Sequence, residues 1–323
     1  MNYNNVLKNF RGTKILVIGD LILDCYIWGK VNRISPEAPV PIVEVTNDTF
    51  MLGGAANVAD NIVALGGKAT VVGMAGKDRP GDILRELLET RGISSALFDD
   101  SRPTTVKTRV IAHNQQIVRF DKEDRGTMGS KAFREIAGFL KDAIAEHDAV
   151  IISDYKKGMI TSEMVKTAIS ASRLRKKFVA VDPKVGNFQL YRHVSLITPN
   201  LMEASQGSGI EITDGKSLLK AGKTLMSRLS CKSVLITRGE EGMSLFEKDR
   251  VVHIPTVARH VYDVTGAGDT VIAAFTLSHA SGATMEEAAV ISNHAAGIVV
   301  AEVGTAVPTP EKLLESLNQG RKV

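Results

Sequence analysis

The most informative residues of the chain form the string DVTGAGDT at positions 263–270, directly before an apolar helical run. Gly266 and Gly268, with the small Ala267 between them, let the backbone approach a ligand closely. The unpaired N–H groups of a first helical turn and the helix dipole form an anion site that suits a phosphate in transfer. Asp269 falls in that turn, where a carboxylate can accept the proton of an attacking hydroxyl. The string predicts phosphoryl transfer with Asp269 as catalytic base; a glycine-rich helix cap is the plainer alternative.

Two further strings carry polar groups suited to a sugar. In GGAANVA (53–59), Gly53 and Gly54 allow tight packing against a ligand, and Asn57 offers the donor and acceptor that a hydroxyl needs. Tight helix–sheet packing selects the same residues, so this string alone favours neither interpretation. In GDLILD (19–24), the carboxylates of Asp20 and Asp24 are suited to hydrogen-bond sugar hydroxyls. A helix cap and a solvated charge explain them equally simply.

Oxygen and nitrogen groups that suit a metal nucleotide follow later strands. Asn200 and Glu203 in TPNLME (198–203) fall on one helical turn, and oxygen ligands suit hydrated Mg²⁺ near nucleotide phosphates. The alternative is a capping pair at a helix start. Lys184 in VDPK is placed to reach the phosphates or the substrate, and an exposed loop lysine is an equal alternative.

Three cations are predicted to hold a phosphate that the substrate already carries. If TVKTRV (105–110) is a strand, Lys107 and Arg109 share one face, because side chains alternate. Arg can bind a phosphate through two parallel N–H bonds, while Lys supplies a point charge. Arg119 lies beyond a short HNQQ segment, and a hairpin would bring it across from the pair. A solvated edge strand with protective charges is the alternative.

The elements that position these residues alternate between buried strands and amphipathic helices. This alternation predicts βαβ units, and therefore a mostly parallel central sheet flanked by helices. Ligands bind at the carboxyl ends of such strands, where five polar residues lie: Asp20, Asp154, Asp182, Asn200 and Arg238. The predicted strands are 14–20, 69–76, 149–155, 177–183, 195–200 and 233–239. The predicted helices are 54–66, 80–91, 129–146, 161–175, 216–229, 267–281 and 285–301.

Two regions depart from that alternation. Residues 39–47 and 104–122 alternate polar and apolar side chains without intervening helices. They predict an accessory sheet of antiparallel strands with one wet face. The fold class is therefore α/β, with a small β-sheet lid set on the main body.

Composition excludes several classes of protein. A formal net charge of +4, from 40 basic and 36 acidic residues, is too small to indicate a nucleic-acid partner. Two distant cysteines indicate neither a disulfide framework nor a zinc cluster. The N-terminal residues lack the apolar core of a signal peptide, and no apolar run is long enough to span a membrane. We therefore expect a cytoplasmic protein without a membrane partner.

Two glycine-containing strings only approximate nucleotide-binding motifs. Residues 209–217 resemble a P-loop with one residue too many, so Asp214 as a helix cap is the better interpretation. The GAG at 266–268 is not a dinucleotide fingerprint, because Val271 stands where a third glycine belongs. The first strand also ends in GDLILD rather than a glycine-rich turn, which disfavours a nicotinamide oxidoreductase.

Taken together, these strings resemble the ribokinase-like carbohydrate kinases, also called the PfkB family. GGAANVA resembles the N-terminal signature and DVTGAGDT the C-terminal one, and the similarity runs from residue 14 to about 308. It implies a single kinase domain over 1–323, with lid strands from about 25–50 and 104–122. A closer resemblance, to the D-glycero-β-D-manno-heptose-7-phosphate kinases, rests on four strings: RISPEAPVPIVEV (33–45), HNQQIVRFD (113–121), SDYKKGMI (153–160) and TRGEEGMSLF (237–246).

That closer resemblance implies ATP-dependent phosphorylation of the anomeric hydroxyl of heptose 7-phosphate, a step towards lipopolysaccharide. His113 departs from the pattern, which has arginine or a similar residue there. Many relatives also carry an adenylyltransferase domain with an HxGH motif, which this sequence lacks, so we expect a kinase alone or part of a longer protein.

The resemblance also implies roles for matching positions. Asp269 is the base, residues 266–268 form the anion hole, and Asn200 and Glu203 organise Mg²⁺ through water. The implied ATP-site residues are Lys184, Asn200, Glu203, Thr237, Gly239, Asp263, Thr265 and Asn293. The implied sugar-site residues are Asp20, Asp24, Gly53, Gly54, Asn57, Lys107, Arg109, Arg119 and Asp154. In relatives such lids often pair, which implies a homodimer. A kinase for another sugar phosphate and a catalytically silent regulator are the remaining alternatives.

Overall fold

The computed structural model describes residues 3–99, 101–113, 115–124, 126, 128–258, 261–302 and 306–319. In these ranges the strands are β1 (Lys14–Gly19), β2 (Leu21–Ile34), β3 (Pro41–Gly54), β4 (Lys68–Met74), β5 (Ser94–Phe98), β6 (Val106–Ala112), β7 (Gln115–Lys122), β8 (Ala149–Ser153), β9 (Phe178–Asp182), β10 (Leu196–Ile197), β11 (Ser233–Thr237), β12 (Met243–Phe246) and β13 (Val251–Ile254). The helices are α1 (Tyr3–Asn9), α2 (Ala55–Ala64), α3 (Arg79–Thr90), α4 (Ser130–Glu146), α5 (Ser162–Leu174), α6 (Leu201–Ser208), α7 (Gly215–Leu229), α8 (Ala267–Ala280), α9 (Met285–Val299) and α10 (Pro310–Gln319).

The main body is a nine-stranded sheet in the order β13-β12-β11-β10-β9-β8-β1-β4-β5. The pairs from β11 through β5 are parallel, whereas β12 and β13 extend the β11 edge in antiparallel pairing. The mostly parallel sheet predicted from the alternation is therefore confirmed. The two short antiparallel strands were not predicted, because each has only four residues.

Helices cover both faces of this sheet, which explains its uninterrupted apolar strands. In β1, Ile15 and Val17 belong to the core that packs against α2, α8 and α9. Leu16 and Ile18 belong to the opposite core, which packs against α4, α5 and α7. A strand buried on both sides has no polar face, so its sequence is a continuous run of apolar residues.

The lid is a separate four-stranded sheet in the order β3-β2-β6-β7. The small accessory sheet is confirmed, and the predicted strands pair antiparallel, β3 with β2 and β6 with β7. The parallel pairing of β2 with β6 was not predicted. The lid strands are also longer than predicted, since β2 and β3 each have 14 residues. β2 starts directly after Asp20, so the lid grows from the carboxyl end of β1.

The double glycine at 53–54 ends a lid strand instead of opening a helix, which corrects the predicted boundary. Gly54 has φ of +58°, and a Cβ there would lie 2.5 Å from the backbone oxygen of Asp20. The glycine therefore permits both the turn into α2 and the close approach of β2. Among the described residues, no helix is long and apolar enough to cross a membrane.

Candidate active site

Asp269 lies in the first turn of α8, at the centre of the molecule. Gly266 precedes the helix with φ of +79°, a left-handed conformation that glycine adopts at little cost. The Asp269 side chain is buried at 4% exposure and accepts two hydrogen bonds. Nδ2 of Asn57 donates to its Oδ2 at 2.8 Å, and the hydroxyl of Tyr155 donates to its Oδ1 at 2.8 Å. The carboxylate is thus held from two sides.

The environment of Asp269 raises its pKa to about 6, chiefly through burial. The hydrogen bonds from Asn57 and Tyr155 act in the opposite direction, because they favour the ionised form. The negative charge of Asp24 raises the pKa further, and the positive charge of Lys107 lowers it. A carboxyl group with a pKa near neutrality is well matched to accepting a proton from a hydroxyl.

Asn57 joins the two glycine-rich strings that the sequence singled out. Asn61 Nδ2 donates to the backbone oxygen of Asn57 at 2.8 Å, and the hydroxyl of Thr270 donates to Asn61 Oδ1 at 2.7 Å. The side chain of Asn57 therefore points to the base, within a network that connects α2 to α8. Its predicted contact with a sugar hydroxyl stays a prediction.

Asp24 and Arg109 form a nearly buried ion pair at the root of the lid. A Cβ on Gly53 would overlap the Asp24 carboxylate, so glycine is required beside the pair. The Arg109 guanidinium also lies over the ring of Tyr26, 5.2 Å from its centroid. The Asp24 carboxylate is thus paired with Arg109, the cation that was predicted from the sequence to bind the substrate phosphate.

The predicted arrangement of lid cations is present. Lys107 and Arg109 alternate with Thr108 on β6, and the ammonium of Lys107 lies 5.0 Å from the ring centroid of Tyr155. Arg119 stands directly opposite Arg109 in the β6–β7 pair, so the expected hairpin is confirmed. Nε of Arg119 lies 3.1 Å from an Asp121 oxygen. The binding of a phosphate by these groups stays a prediction.

Asp20 and Asp154 have structural roles that the sequence did not indicate. The Asp20 carboxylate accepts backbone N–H bonds from Tyr155 at 2.8 Å, Lys157 at 3.1 Å and Met159 at 2.9 Å. Asp154 accepts from Asn187 Nδ2 at 2.7 Å and from the hydroxyl of Tyr191. Both carboxylates are 2% exposed. They fix the loop after β8, and their predicted sugar contacts stay predictions.

Asn200 and Glu203 form a capping box at the start of α6. Asn200 Oδ1 accepts from the Glu203 N–H at 2.9 Å, and Glu203 Oε2 accepts from the Asn200 N–H at 3.1 Å. The capping alternative is therefore present in the structure. Glu203 Oε1 remains outside the box, with Lys184 Nζ at 3.5 Å.

The surroundings of Glu203 fit a divalent cation. Burial and the negative charges of Asp269 and Glu203 raise the pKa of Asp182 well above its usual range. Lys184 acts in the opposite direction and lowers the pKa of Asp182. The described residues contain no group of three or more His, Cys, Asp or Glu side chains that could hold a metal ion. This donor set suits Mg²⁺, which usually keeps several waters and takes one or two carboxylates.

Replacing Glu203 by glutamine tests that role. We expect a higher Mg²⁺ concentration for half-maximal activity, with little change in sugar KM, because the amide lowers the negative charge but keeps an oxygen for the cap. Glu287→Gln is the matched control, since Glu287 accepts from the Thr284 N–H in the capping box of α9, in the same N3 position that Glu203 has in α6. An unchanged Mg²⁺ titration in Glu203→Gln would leave Glu203 with the capping role alone.

A cleft of about 420 Å³ opens beside the N-terminus of α8. Five sequence-predicted residues line it: Thr237, Gly239, Ala267, Gly268 and Asn293. Val264, Val271 and Val300 make most of the wall apolar. Such a wall suits a flat heterocycle, while the helix start suits its phosphates.

The other five residues predicted for the ATP site do not line this cleft: Lys184, Asn200, Glu203, Asp263 and Thr265. Asp263 Oδ1 accepts from the N–H of Thr265 at 2.8 Å, so both residues shape the turn before Gly266. Lys184 is paired with Glu203. Their predicted contacts with nucleotide stay predictions.

Sequence reasoning assigned no role to Tyr155 or Asp182, which the structure places around Asp269. Both lie at or just past the carboxyl ends of parallel strands, and that position was the available signal. Asp182 was noted there without a function. Tyr155 was noted only as part of the string SDYKKGMI.

A parallel sheet with a nucleotide-sized cleft, a buried carboxylate at a glycine-rich helix start and a β lid defines the class of ribokinase-like phosphotransferases. Residues 12–312 match the family described as pfkB family carbohydrate kinase. The chain belongs to this family and is a sugar kinase.

Similar curated proteins carry the name "Bifunctional protein HldE". The one from Geobacter metallireducens is 46% identical over 319 residues, which are 98% of this chain and 65% of that protein. The one from Helicobacter pylori is 44% identical over 308 residues, which are 95% of this chain and 66% of that protein. The chain thus spans about two thirds of the length of these relatives.

Solved structures confirm the predicted fold class. Phosphofructokinase-2 from Escherichia coli, in complex with potassium, aligns with a TM-score of 0.82 at 21% identity, covering 95% of this chain and 98% of that one. Arabidopsis thaliana ribokinase, complexed with ribose and ATP, aligns with a TM-score of 0.76 at 20% identity, covering 94% and 98%. At this identity the likeness shows the fold.

Proposed function

We propose that this sugar kinase transfers the γ-phosphoryl group of ATP to the anomeric hydroxyl of D-glycero-β-D-manno-heptose 7-phosphate. The observation that carries the kinase chemistry is the buried carboxylate of Asp269 at the start of α8, held by Asn57 and Tyr155. The choice of heptose rests on the similarity to proteins named HldE and on the lid cations beside the site. The product is the 1,7-bisphosphate.

In the proposed reaction, the sugar O1 attacks the γ-phosphorus as the bond from phosphorus to the β-phosphate oxygen breaks. The hydroxyl proton passes to the carboxylate of Asp269, and ADP leaves. The backbone N–H groups at 266–268 stabilise the charge that develops on the transferring group. Their position at a helix N-terminus adds the favourable helix dipole.

Mg²⁺, when bound with ATP, would neutralise charge on the phosphates. Glu203 would hold it through Oε1, the oxygen that now faces Lys184, and Asn200 would contribute through water. Lys184 is then free to turn from Glu203 towards the phosphates. The apolar cleft lined by Val264, Val271 and Val300 would take the adenine ring.

Coupled measurement of ADP production tests the proposed substrate. The panel contains heptose 7-phosphate, unphosphorylated heptose, fructose 6-phosphate, tagatose 6-phosphate and ribose, each at matched concentrations. We expect the highest kcat/KM with heptose 7-phosphate. A higher kcat/KM with a hexose phosphate would support the sugar kinase activity but contradict heptose 7-phosphate as its substrate.

We also propose a homodimer formed through the lid. Val118 and Phe120 alternate with Arg119 on β7, and therefore lie on the face turned away from the Lys107 and Arg109 side. These two apolar side chains are 48% and 53% exposed on an edge strand. An exposed apolar edge strand invites pairing with another chain, and a second lid of the same shape would cover it.

Replacing Phe120 by glutamate is expected to convert the dimer into a monomer, because a charge would be buried in the proposed interface. Leu174→Glu is the matched control, since Leu174 is 87% exposed on α5, outside the lid. Sedimentation velocity measures both variants beside the wild type. A wild type that stays monomeric at high concentration contradicts the proposed dimer.

A further inference from the structure

Tyr155 links the catalytic carboxylate to the loop that follows β8. Its hydroxyl donates to Asp269 Oδ1 at 2.8 Å, across 114 residues of sequence. Its own backbone N–H donates to Asp20 Oδ2 at 2.8 Å, and the N–H of Lys157 donates to the same oxygen at 3.1 Å. The buried Asp20 therefore fixes the backbone from which the Tyr155 side chain reaches the base.

We propose that Tyr155 is a positioning residue for Asp269, which holds one carboxylate oxygen and favours the ionised form that accepts the substrate proton. This inference rests on the proposed role of Asp269 as base. Asn57 holds Oδ2 and Tyr155 holds Oδ1, so the plane of the carboxylate is fixed. Each oxygen keeps a second lone pair, so one remains available to an attacking hydroxyl.

The charges around Asp269 explain why such a donor is needed. Asp24 on β2 is negative and opposes ionisation of Asp269. Asp182, at the end of β9, lies near enough for the charge of Asp269 to raise its own pKa. Lys107 on β6 is the positive group that favours ionisation, and burial reduces its own tendency to be charged. The neutral donors Asn57 and Tyr155 therefore supply stabilisation of the carboxylate that does not depend on the position of the lid.

Tyr155 itself remains a donor at every working pH. Burial and the nearby charge of Asp269 raise the pKa of its hydroxyl well above the usual value for tyrosine. It therefore keeps its proton when Asp269 ionises. The substrate proton goes to Asp269, and Tyr155 only orients the acceptor.

The variant Tyr155→Phe removes the hydroxyl and keeps the ring that lies beneath Lys107. Tyr191→Phe is the matched control. The Tyr191 hydroxyl also donates to a buried carboxylate, that of Asp154, and its ring is fully buried, but it does not contact Asp269. Each variant loses one hydrogen bond to a buried carboxylate, but only Tyr155→Phe loses the one to Asp269.

In Tyr155→Phe we expect the acid limb of the kcat profile to move up by about one pKa unit, the worth of a hydrogen bond to an ionised group. We expect kcat at the optimum to fall about tenfold, with sugar and ATP KM nearly unchanged. Tyr191→Phe should leave the acid limb in place. A fall in kcat without movement of the limb, or equal movement in both variants, overturns the proposal.

A direct titration separates this inference from the proposed function. The pKa of the Asp269 carboxyl is measured by ¹³C NMR in the folded, ligand-free protein, with Asp269→Asn used to assign the signal. It should be higher in Tyr155→Phe than in wild type, whether or not the chain accepts heptose 7-phosphate. An unchanged Asp269 pKa in the folded Tyr155→Phe protein contradicts the inference, whereas a wild type without any acid limb contradicts only the role of Asp269 as base.

Discussion

Replacing Asp269 by asparagine should lower kcat by about 10²–10⁴-fold, the usual loss when a general base is removed. The Kd for ATP should stay nearly unchanged, because the cleft that would hold the nucleotide is lined by other residues. In the wild type, the same carboxyl group should make kcat fall as pH drops below about 6, since the protonated form cannot accept a proton. Steady-state kinetics and equilibrium ATP binding measure the two effects separately.

The stability of the asparagine variant provides its folding control. Folding raises the pKa of Asp269 to about 6, so the ionised carboxylate costs stability. The cost is absent below about pH 4, grows as pH rises through this window, and is complete above about pH 6 at roughly 3 kcal/mol. Asp269→Asn should therefore unfold at the same or a higher temperature than wild type at pH 8. A folded variant with near-normal kcat would remove Asp269 from the mechanism.

Removing the lid cations should raise the KM for a phosphorylated sugar, and this is the second large effect that we expect. Lys107→Ala removes a cation that lies beside Tyr155 and close enough to Asp269 to influence its pKa. A charge-assisted hydrogen bond to a phosphate contributes about 1.5–3 kcal/mol, so KM should rise on the order of 10- to 100-fold. The ATP KM and the KM for unphosphorylated heptose should change little.

Arg109→Ala should have two effects, because the arginine is already paired with Asp24. Its loss leaves a nearly buried carboxylate without that partner, so we expect lower stability as well as a higher KM. Arg33→Ala is the control for both variants, since Arg33 is an exposed arginine on the same lid strand as Asp24. If Lys107→Ala and Arg109→Ala both bind the phosphorylated sugar like wild type, its phosphate is held elsewhere.

Much of the fold could be predicted because periodicity carries the signal. Continuous apolar strands such as β1 and β8 follow from burial on two faces, and the alternation of β6 follows from burial on one. The parallel pairing of β2 with β6 could not be predicted, because alternation specifies a face and not a neighbour. The lid was predicted to begin at about residue 25, and the start of β2 at Leu21 was missed because its first residues are buried like those of a core strand.

The candidate site, like the fold, could be predicted from the sequence only in part. The position of Asp269 followed from the glycines that precede it, whose conformational role is local. The partners of Asp269 lie 212 and 114 residues away in sequence, so only the assembled fold reveals them. Asp20 and Asn57 were assigned to the sugar because their side chains can hydrogen-bond hydroxyl groups. In the structure Asp20 accepts hydrogen bonds from the loop after β8, and Asn57 donates one to Asp269. The chemical type of a side chain therefore does not determine which group it contacts in the folded protein.

The product formed from ATP and heptose 7-phosphate, identified by ³¹P NMR, tests most directly whether Asp269 drives transfer to the anomeric hydroxyl. We expect one equivalent of ADP and a new phosphomonoester signal coupled to the anomeric proton, formed by wild type and lost in Asp269→Asn. Transfer to another hydroxyl, or no transfer to any sugar phosphate by a folded protein that binds ATP, would contradict this expectation.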